Sequence, residues 1–342
     1  MKVSLYIAAT PWNFLNSFVF ASQRKDERSY LMYVDFPINQ PNPYLDALSK
    51  IDSPFEQSWC FHGKFKGAWK KWRSRVRELN EIKQIVAELK PDQVFVGSDR
   101  RIEFQCAMTE AVKHKPEVKG IYLDEGVFSY TCRRRSQTWR DRVLDSWIKK
   151  RMYPCDWKHP ITIGASEWIS EGWLLAPEKA CGLLKDLLLL NPIPLNFYQS
   201  PRLQSLLEQF ISDDQAPLLN QAYDLLIILP HPSNLSVSLQ QQYAEYLSKQ
   251  TGLRIAVKKH PRDGSNLNWL ENIVKRDKRM SFSILPSALP LELILPKLSF
   301  SDVVSAPSTA LLTVKLLKKD VGINILTDEA EIHHSEFQEL LS

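Results

Sequence analysis

Glycine is scarce, 11 in 342 residues, and none of it falls in G-x-G-x-x-G or G-x-x-x-x-G-K-[ST]. The two short loops by which many nucleotide-binding proteins cradle a pyrophosphate or triphosphate are therefore missing. No Asp-x-Asp and no His-x-x-x-His occurs, so no local motif supplies a metal clamp, which leaves only ligands distant in sequence. The five cysteines are odd in number and form no C-x-x-C pair. That spacing indicates neither a disulfide framework nor a zinc knuckle, and a reducing compartment fits it best. No apolar run reaches the ~18 residues a membrane-spanning helix needs, and MKVSLYIAATPWNF carries no charged leader ahead of such a run. A cytoplasmic protein is expected, either free or held peripherally at a membrane surface.

What is present is an ordinary globular composition, 44% apolar and 24% charged, which excludes a fibre or a disordered tail. A chain of 342 residues exceeds the usual single core and predicts two domains. Short apolar runs alternate with amphipathic stretches: VSLYIAA, SYLMYVDF, DQVFVGS and KGIYLDEG read as strands, PWNFLNSFVFASQR, RELNEIKQIVAELK and FQCAMTEAVKHK as helices. Residues 166–222 turn Leu- and Pro-rich and end in SDDQAP. A second alternating series follows, with strands in YDLLIILPHP, LRIAVKKHP, MSFSILP and FSDVVSAPS and helices in SLQQQYAEYLSKQTG, PLELILPKL and TALLTVKLLKK. The expected organisation is an α/β protein with domains at 1–212 and 213–342, each a parallel sheet flanked by helices.

Three places carry candidate chemistry. Asp124-Glu125-Gly126 closes an apolar strand, and strand carboxyl ends of open α/β sheets face the ligand crevice. Adjacent carboxylates point to opposite faces, so one can enter the crevice as a general base while the other caps a helix; an acidic turn accounts for the pair equally well. His260-Pro261 follows a strand among Lys258, Lys259 and Arg262, a setting that suits a phosphate. His231-Pro232 also ends a strand and competes with it, whereas His159-Pro160 follows no clear strand. Ser308-Thr309 stands between a strand and a helix, where hydroxyls and free N–H groups favour an anion and where simple N-capping is the plainer account.

The net charge of +5 is clustered. Residues 61–77 and 133–151 interleave Lys and Arg with Trp69, Trp72, Trp139 and Trp147. Anionic lipid headgroups or a charged glycan could meet such stretches, with nucleic acid as the alternative anion. A basic face with its tryptophans turned into the core explains them as readily.

Taken in order, YLDEGVFSY, KKHPR and SAPSTALL resemble the acidic-acidic-Gly, His-Pro and Ser-Ser/Thr motifs of the bacterial sialyltransferase and polysialyltransferase superfamily. ATPWNFLNS is similar to the Thr-Pro turn that opens those proteins, Tyr130 stands where an aromatic often follows the acidic motif, and LPLELI resembles their Pro-x-Glu segment; residues 133–215 are not covered. The resemblance implies a GT-B fold, two Rossmann-like domains facing across a cleft. It implies an inverting, metal-independent transferase that moves a sialic or related nonulosonic acid from its CMP-activated form to a cell-surface or lipid-linked glycan, as in capsule or lipopolysaccharide synthesis. Asp124 would be the base and Glu125 the less favoured candidate. His260, beside Pro261, would meet the CMP phosphate with Ser308 and Thr309, Glu292 would hold the ribose, and Thr10, Asn13 and Gly126 would lie on the acceptor side. No nucleic-acid partner is expected. The alternatives are a GT-B enzyme using CMP-Kdo or a UDP-sugar, and a non-catalytic anion-binding protein.

Overall fold

A computed structural model of the chain describes residues 1–63, 68–212, 214–260, 266–287, 289–318 and 320–326. The chain divides into two compact units, Met1–Leu206 and Leu207–Ser342, the division falling within the helix Pro201–Glu208.

The first unit holds seven strands: β1 (Lys2–Ala8), β2 (Glu27–Phe36), β3 (Gln57–His62), β4 (Gln93–Val96), β5 (Lys119–Leu123), β6 (Ile169–Leu174) and β7 (Leu189–Pro192). They lie in the order β3-β2-β1-β4-β5-β6-β7, every neighbouring pair parallel. Strand alternation sorts β1 onto two faces. Leu5 and Ile7 join Met32, Val94 and Val96 in a core closed by Leu79, Ile82 and Val86 of the helix Ala68–Leu89 and by Phe104 and Met108 of the helix Ile102–His114. Tyr6 faces the other way, stacked on Phe95 at 4.4 Å. That second face is aromatic, with Phe14, Phe18 and Phe20 of the helix Pro11–Gln23 all buried there.

The second unit holds β8 (Leu225–Ile228), β9 (Arg254–Lys258), β10 (Ser281–Ile284), β11 (Asp302–Ser305) and β12 (Gly322–Ile325), in the order β10-β9-β8-β11-β12 and again parallel throughout. Its core packs Leu225, Ile227, Ile255 and Val257 against Leu239, Tyr243 and Leu247 of the helix Val237–Ser248. In each sheet the strand order reverses beside one pair, β1/β4 in the first and β8/β11 in the second. Open parallel sheets bind ligands at the carboxyl ends of strands flanking such a reversal.

The structure adds and corrects. β3, β6, β7 and β12 are strands that the apolar runs did not announce, since β7 and β12 are four-residue edge strands and β6 contains Gly172. The helix expected to begin near Arg77 begins at Ala68 and takes in part of the first basic stretch, while the one expected over 290–298 is the single turn Leu291–Ile294. Cys132 and Cys181, 49 residues apart, are paired in a disulfide, and this removes the ground on which cysteine spacing pointed to a reducing compartment. Among the described residues no helix is long and apolar enough to cross a membrane.

Candidate active site

At the carboxyl end of β1 the chain turns through Thr10 into the helix Pro11–Gln23. Thr10 is the N-cap, its Oγ1 accepting from the Asn13 N–H at 3.1 Å, and Pro11 fills the first helical position, where no N–H is needed. The first turn of this helix therefore aims Asn13 and Asn16 at the end of β5. Asn13 Nδ2 donates to Glu125 Oε2 at 2.5 Å, and Asn16 Nδ2 donates to the Asp124 carbonyl at 3.0 Å. Tyr198 in turn donates to Asn16 Oδ1 at 2.5 Å, which fixes that amide.

The two carboxylates of the acidic motif have different surroundings. Asp124 is 1% exposed, and its oxygens accept from the N–H groups of Gly126 at 2.7 Å and Leu175 at 3.0 Å, from Ser129 Oγ at 3.4 Å and from the Tyr130 hydroxyl. Burial pushes its carboxyl up and these donors pull it back. Gly126 closes the turn at φ 85° and ψ −136°, a conformation that only glycine adopts without strain. Asp124 thus ties the β5 turn to the chain beyond β6, and Tyr130 takes part by accepting from the Ala176 N–H at 3.3 Å. The disulfide lies along the same seam, Cys181 N–H donating to the Ser129 carbonyl at 3.0 Å.

Glu125 is partly buried, and its side-chain carboxylate accepts from Asn13. Its carboxyl is pushed up to about 7, chiefly by burial and against the pull of the Asn13 amide and the Arg101 charge. Gly97, directly after β4, floors this place: a Cβ there would run into Asn13 Nδ2 and Glu125 Oε2. Of the two carboxylates expected from the sequence, Glu125 is therefore the more accessible and Asp124 the more enclosed.

Sequence reasoning missed the groups around this carboxylate. Arg101 pairs with Asp35 at 2.9 Å; Asp35 also meets Arg75 at 3.6 Å, and Arg75 pairs with Glu103. Asp99 is buried after β4, accepting from the N–H groups of Gly164 at 2.8 Å and Ser166 at 2.7 Å, and burial raises it to about 6. The apolar run before Gly97 locates these residues on a strand end, but their partners lie on elements distant in sequence.

In the second unit His231 follows β8 and His260 follows β9, and their rings meet edge to face at 4.8 Å. The two competing His-Pro pairs thus form one place. His231 Nδ1 accepts from the Ser233 N–H at 3.2 Å, so in the neutral ring the proton sits on Nε2. Ser308 is the N-cap of the helix Thr309–Leu317, Oγ accepting from the Leu311 N–H at 3.1 Å. Pro261 and Arg262 lie outside the described residues, as does the side chain of Thr309. Lys258 does not point to a phosphate: its buried ammonium donates to the carbonyls of Pro286 at 2.8 Å and Ser287 at 3.0 Å, and burial lowers it to about 8. Glu292 is 7% exposed in the turn Leu291–Ile294, raised by burial and opposed by the Lys258 charge. His159, in the first unit, is fixed by Ser146 and the Ser136 carbonyl.

Residues 66–327 match the sequence-family model described as Alpha-2,8-polysialyltransferase (POLYST). The chain belongs to the alpha-2,8-polysialyltransferase family. It is accordingly a glycosyltransferase of the sialyltransferase type, and its two Rossmann-like units are those of the GT-B class. The matched span begins after Thr10 and Asn13, so the helix that meets Glu125 lies outside it. No curated protein matches the chain significantly. Among solved structures, UDP-GlcNAc 2-epimerase from Neisseria meningitidis bound to UDP-GlcNAc superimposes with a TM-score of 0.56 at 13% identity, over 100% of this chain and 90% of that one. A putative UDP-N-acetylglucosamine 2-epimerase from Listeria monocytogenes gives 0.57 at 13% identity, over 99% and 82% of the two chains. Arabidopsis thaliana UGT89C1 complexed with UDP-L-rhamnose gives 0.56 at 10% identity, over 99% and 82%. These likenesses show the fold; the same fold serves epimerases and transferases.

Proposed function

We propose that this polysialyltransferase-family protein transfers sialic acid, or a related nonulosonic acid, from its CMP-activated form to a hydroxyl of a cell-surface or lipid-linked glycan. The reaction inverts the anomeric centre, needs no metal cofactor and takes place at an anionic membrane surface. Glu125 takes the proton of the acceptor hydroxyl as its oxygen bonds to the anomeric carbon, while the bond from that carbon to the phosphate oxygen breaks and CMP departs. The reading rests on one observation above the others: a carboxylate at the strand-order reversal of the first sheet, oriented by Asn13 and pushed up to about 7, has the basicity that proton transfer at neutral pH requires. Asp124 holds the turn that carries it.

The second unit supplies the contacts to the departing phosphate, with His260 meeting its negative charge and the N-terminus of the helix Thr309–Leu317 offering free N–H groups. Ser308 and Thr309 belong to that end of the helix, and Glu292 accepts from the ribose. CMP release measured with CMP-sialic acid, CMP-Kdo and UDP-sugars in turn tests the donor. Turnover is expected with the CMP-nonulosonic acid and is expected to fall by about 10²-fold or more in Glu125→Gln. Consumption of a UDP-sugar alone would overturn the donor assignment and with it the role given to His260.

A further inference from the structure

The segment that follows Trp139 is a helix turned inside out. It runs as a π-helix over Arg140–Asp145 and continues as an α-helix over Ser146–Met152. Asp141 faces the protein, meeting Arg100 at 2.8 Å and Arg133 at 3.1 Å, and the half-buried Asp145 meets Arg100 at 3.4 Å and Lys149 at 2.7 Å. Lys149 is itself drawn inward, its ammonium 3.8 Å from the centre of the buried Trp157 ring. The apolar side chains face outward, Trp139 at 68% exposure and Trp147 at 65%, with Val143, Leu144, Ile148 and Met152 exposed between and beyond them. Arg140, Arg142, Lys150 and Arg151 are exposed on the same segment.

A second element adjoins it. Trp72 Nε1 donates to the Met152 carbonyl at 3.1 Å, which brings the start of the helix Ala68–Leu89 to the end of this one. Trp69 packs on Trp72 at 5.0 Å and is 70% exposed, with Lys71 and Arg73 exposed beside it. The two basic stretches of the sequence therefore meet, and of their tryptophans Trp69, Trp139 and Trp147 are turned outward rather than into the core.

A soluble protein rarely leaves such a patch uncovered. A glycan or a nucleic acid would use the cations and the indoles but would leave Val143, Leu144, Ile148 and Met152 in water. A second copy meeting this face through a two-fold axis would set one cluster of Arg and Lys against another. Indoles and aliphatic side chains among cations match the boundary between acyl chains and anionic headgroups. We propose that the outward face of residues 139–152, together with Trp69, docks on a bilayer surface rich in anionic lipid. This names the surface for the membrane contact in the proposed function, rests on that contact alone, and holds whichever donor is used, so vesicle binding and CMP release fail separately.

Flotation of the full chain with vesicles tests it, using phosphatidylcholine alone and phosphatidylcholine with about 30% phosphatidylglycerol, an anionic fraction high enough to raise a surface potential. Binding is expected only with the anionic vesicles, and is expected to weaken in 0.5 M salt as the screening length shrinks to about 4 Å. Trp139→Ala with Trp147→Ala should weaken it about ten-fold or more through lost apolar burial, and Arg140→Gln or Lys150→Gln about five-fold each. Turnover of a water-soluble acceptor should stay unchanged in every variant, which also reports that each has folded. Absence of flotation, equal binding to neutral vesicles, or binding that the tryptophan and charge variants leave intact overturns the proposal. So does a self-association, measured by sedimentation velocity, that the tryptophan variants abolish.

Discussion

Asn13 and Glu125, 112 residues apart in sequence, meet at 2.5 Å where β1 and β5 end on either side of β4. The amide donates, so it stabilises the ionised carboxylate, while burial resists ionisation; burial is the larger effect and the carboxyl stands at about 7. Activity is expected to rise with pH through an apparent value near 7, read from the acid limb of the profile of kcat/KM.

The same displacement makes a stability prediction. Between the ordinary 4.5 of a glutamate and about 7, the folded state holds the Glu125 proton more tightly than the unfolded state does. Stability contributed by the neutral carboxyl is complete below about 4.5 and is lost as pH rises through about 7. Glu125→Gln cannot ionise and keeps an oxygen for Asn13. Its stability should exceed that of the parent by about 1–3 kcal/mol at pH 8 and equal it near pH 4, measured by urea unfolding, while its turnover is lost.

Asp124→Asn should behave in the opposite manner. It sets an NH2 group among donors from Gly126, Tyr130 and Leu175, so about 2–4 kcal/mol of stability should be lost at neutral pH. Activity should fall with it, and the fall in denaturation midpoint separates this variant from Glu125→Gln. An unchanged midpoint would contradict the role given to Asp124.

Gly97→Ala introduces a Cβ against both Asn13 Nδ2 and Glu125 Oε2. Displacing a proton acceptor by a fraction of an ångström should lower kcat/KM by about 10²-fold, with far-UV circular dichroism unchanged.

His260→Ala should weaken CMP binding in calorimetry and reduce turnover by about 10²-fold or more. His231→Ala should cost less, about ten-fold, because it removes the ring packed at 4.8 Å against His260 and leaves the contacting imidazole. Equal losses in the two variants would assign the phosphate to the pair.

Much of the fold was legible because parallel strands buried on both faces read as apolar runs, as LRIAVKK and DQVFVGS do. β7 and β12 were not, since a four-residue edge strand carries too few positions to show a pattern. The acidic motif was legible as a strand end, but alternation says only that Asp124 and Glu125 diverge. Which one is enclosed depends on Leu175 and Tyr130, and which one is open depends on Asn13 and Gly97. The two His-Pro pairs looked like rivals because their ring contact spans neighbouring strands rather than neighbouring residues. The basic stretches gave their composition but not their facing, because the cations that turn Asp141 inward, Arg100 and Arg133, come from outside the helix.

Asp124 touches no substrate in this reading, yet its four donors come from the turn after β5, at Gly126, Ser129 and Tyr130, and from Leu175 after β6. A residue so committed gives its neighbour a fixed footing: Glu125 stands at its station before any sugar arrives, and none of the affinity for acceptor has to be diverted into setting the base upright.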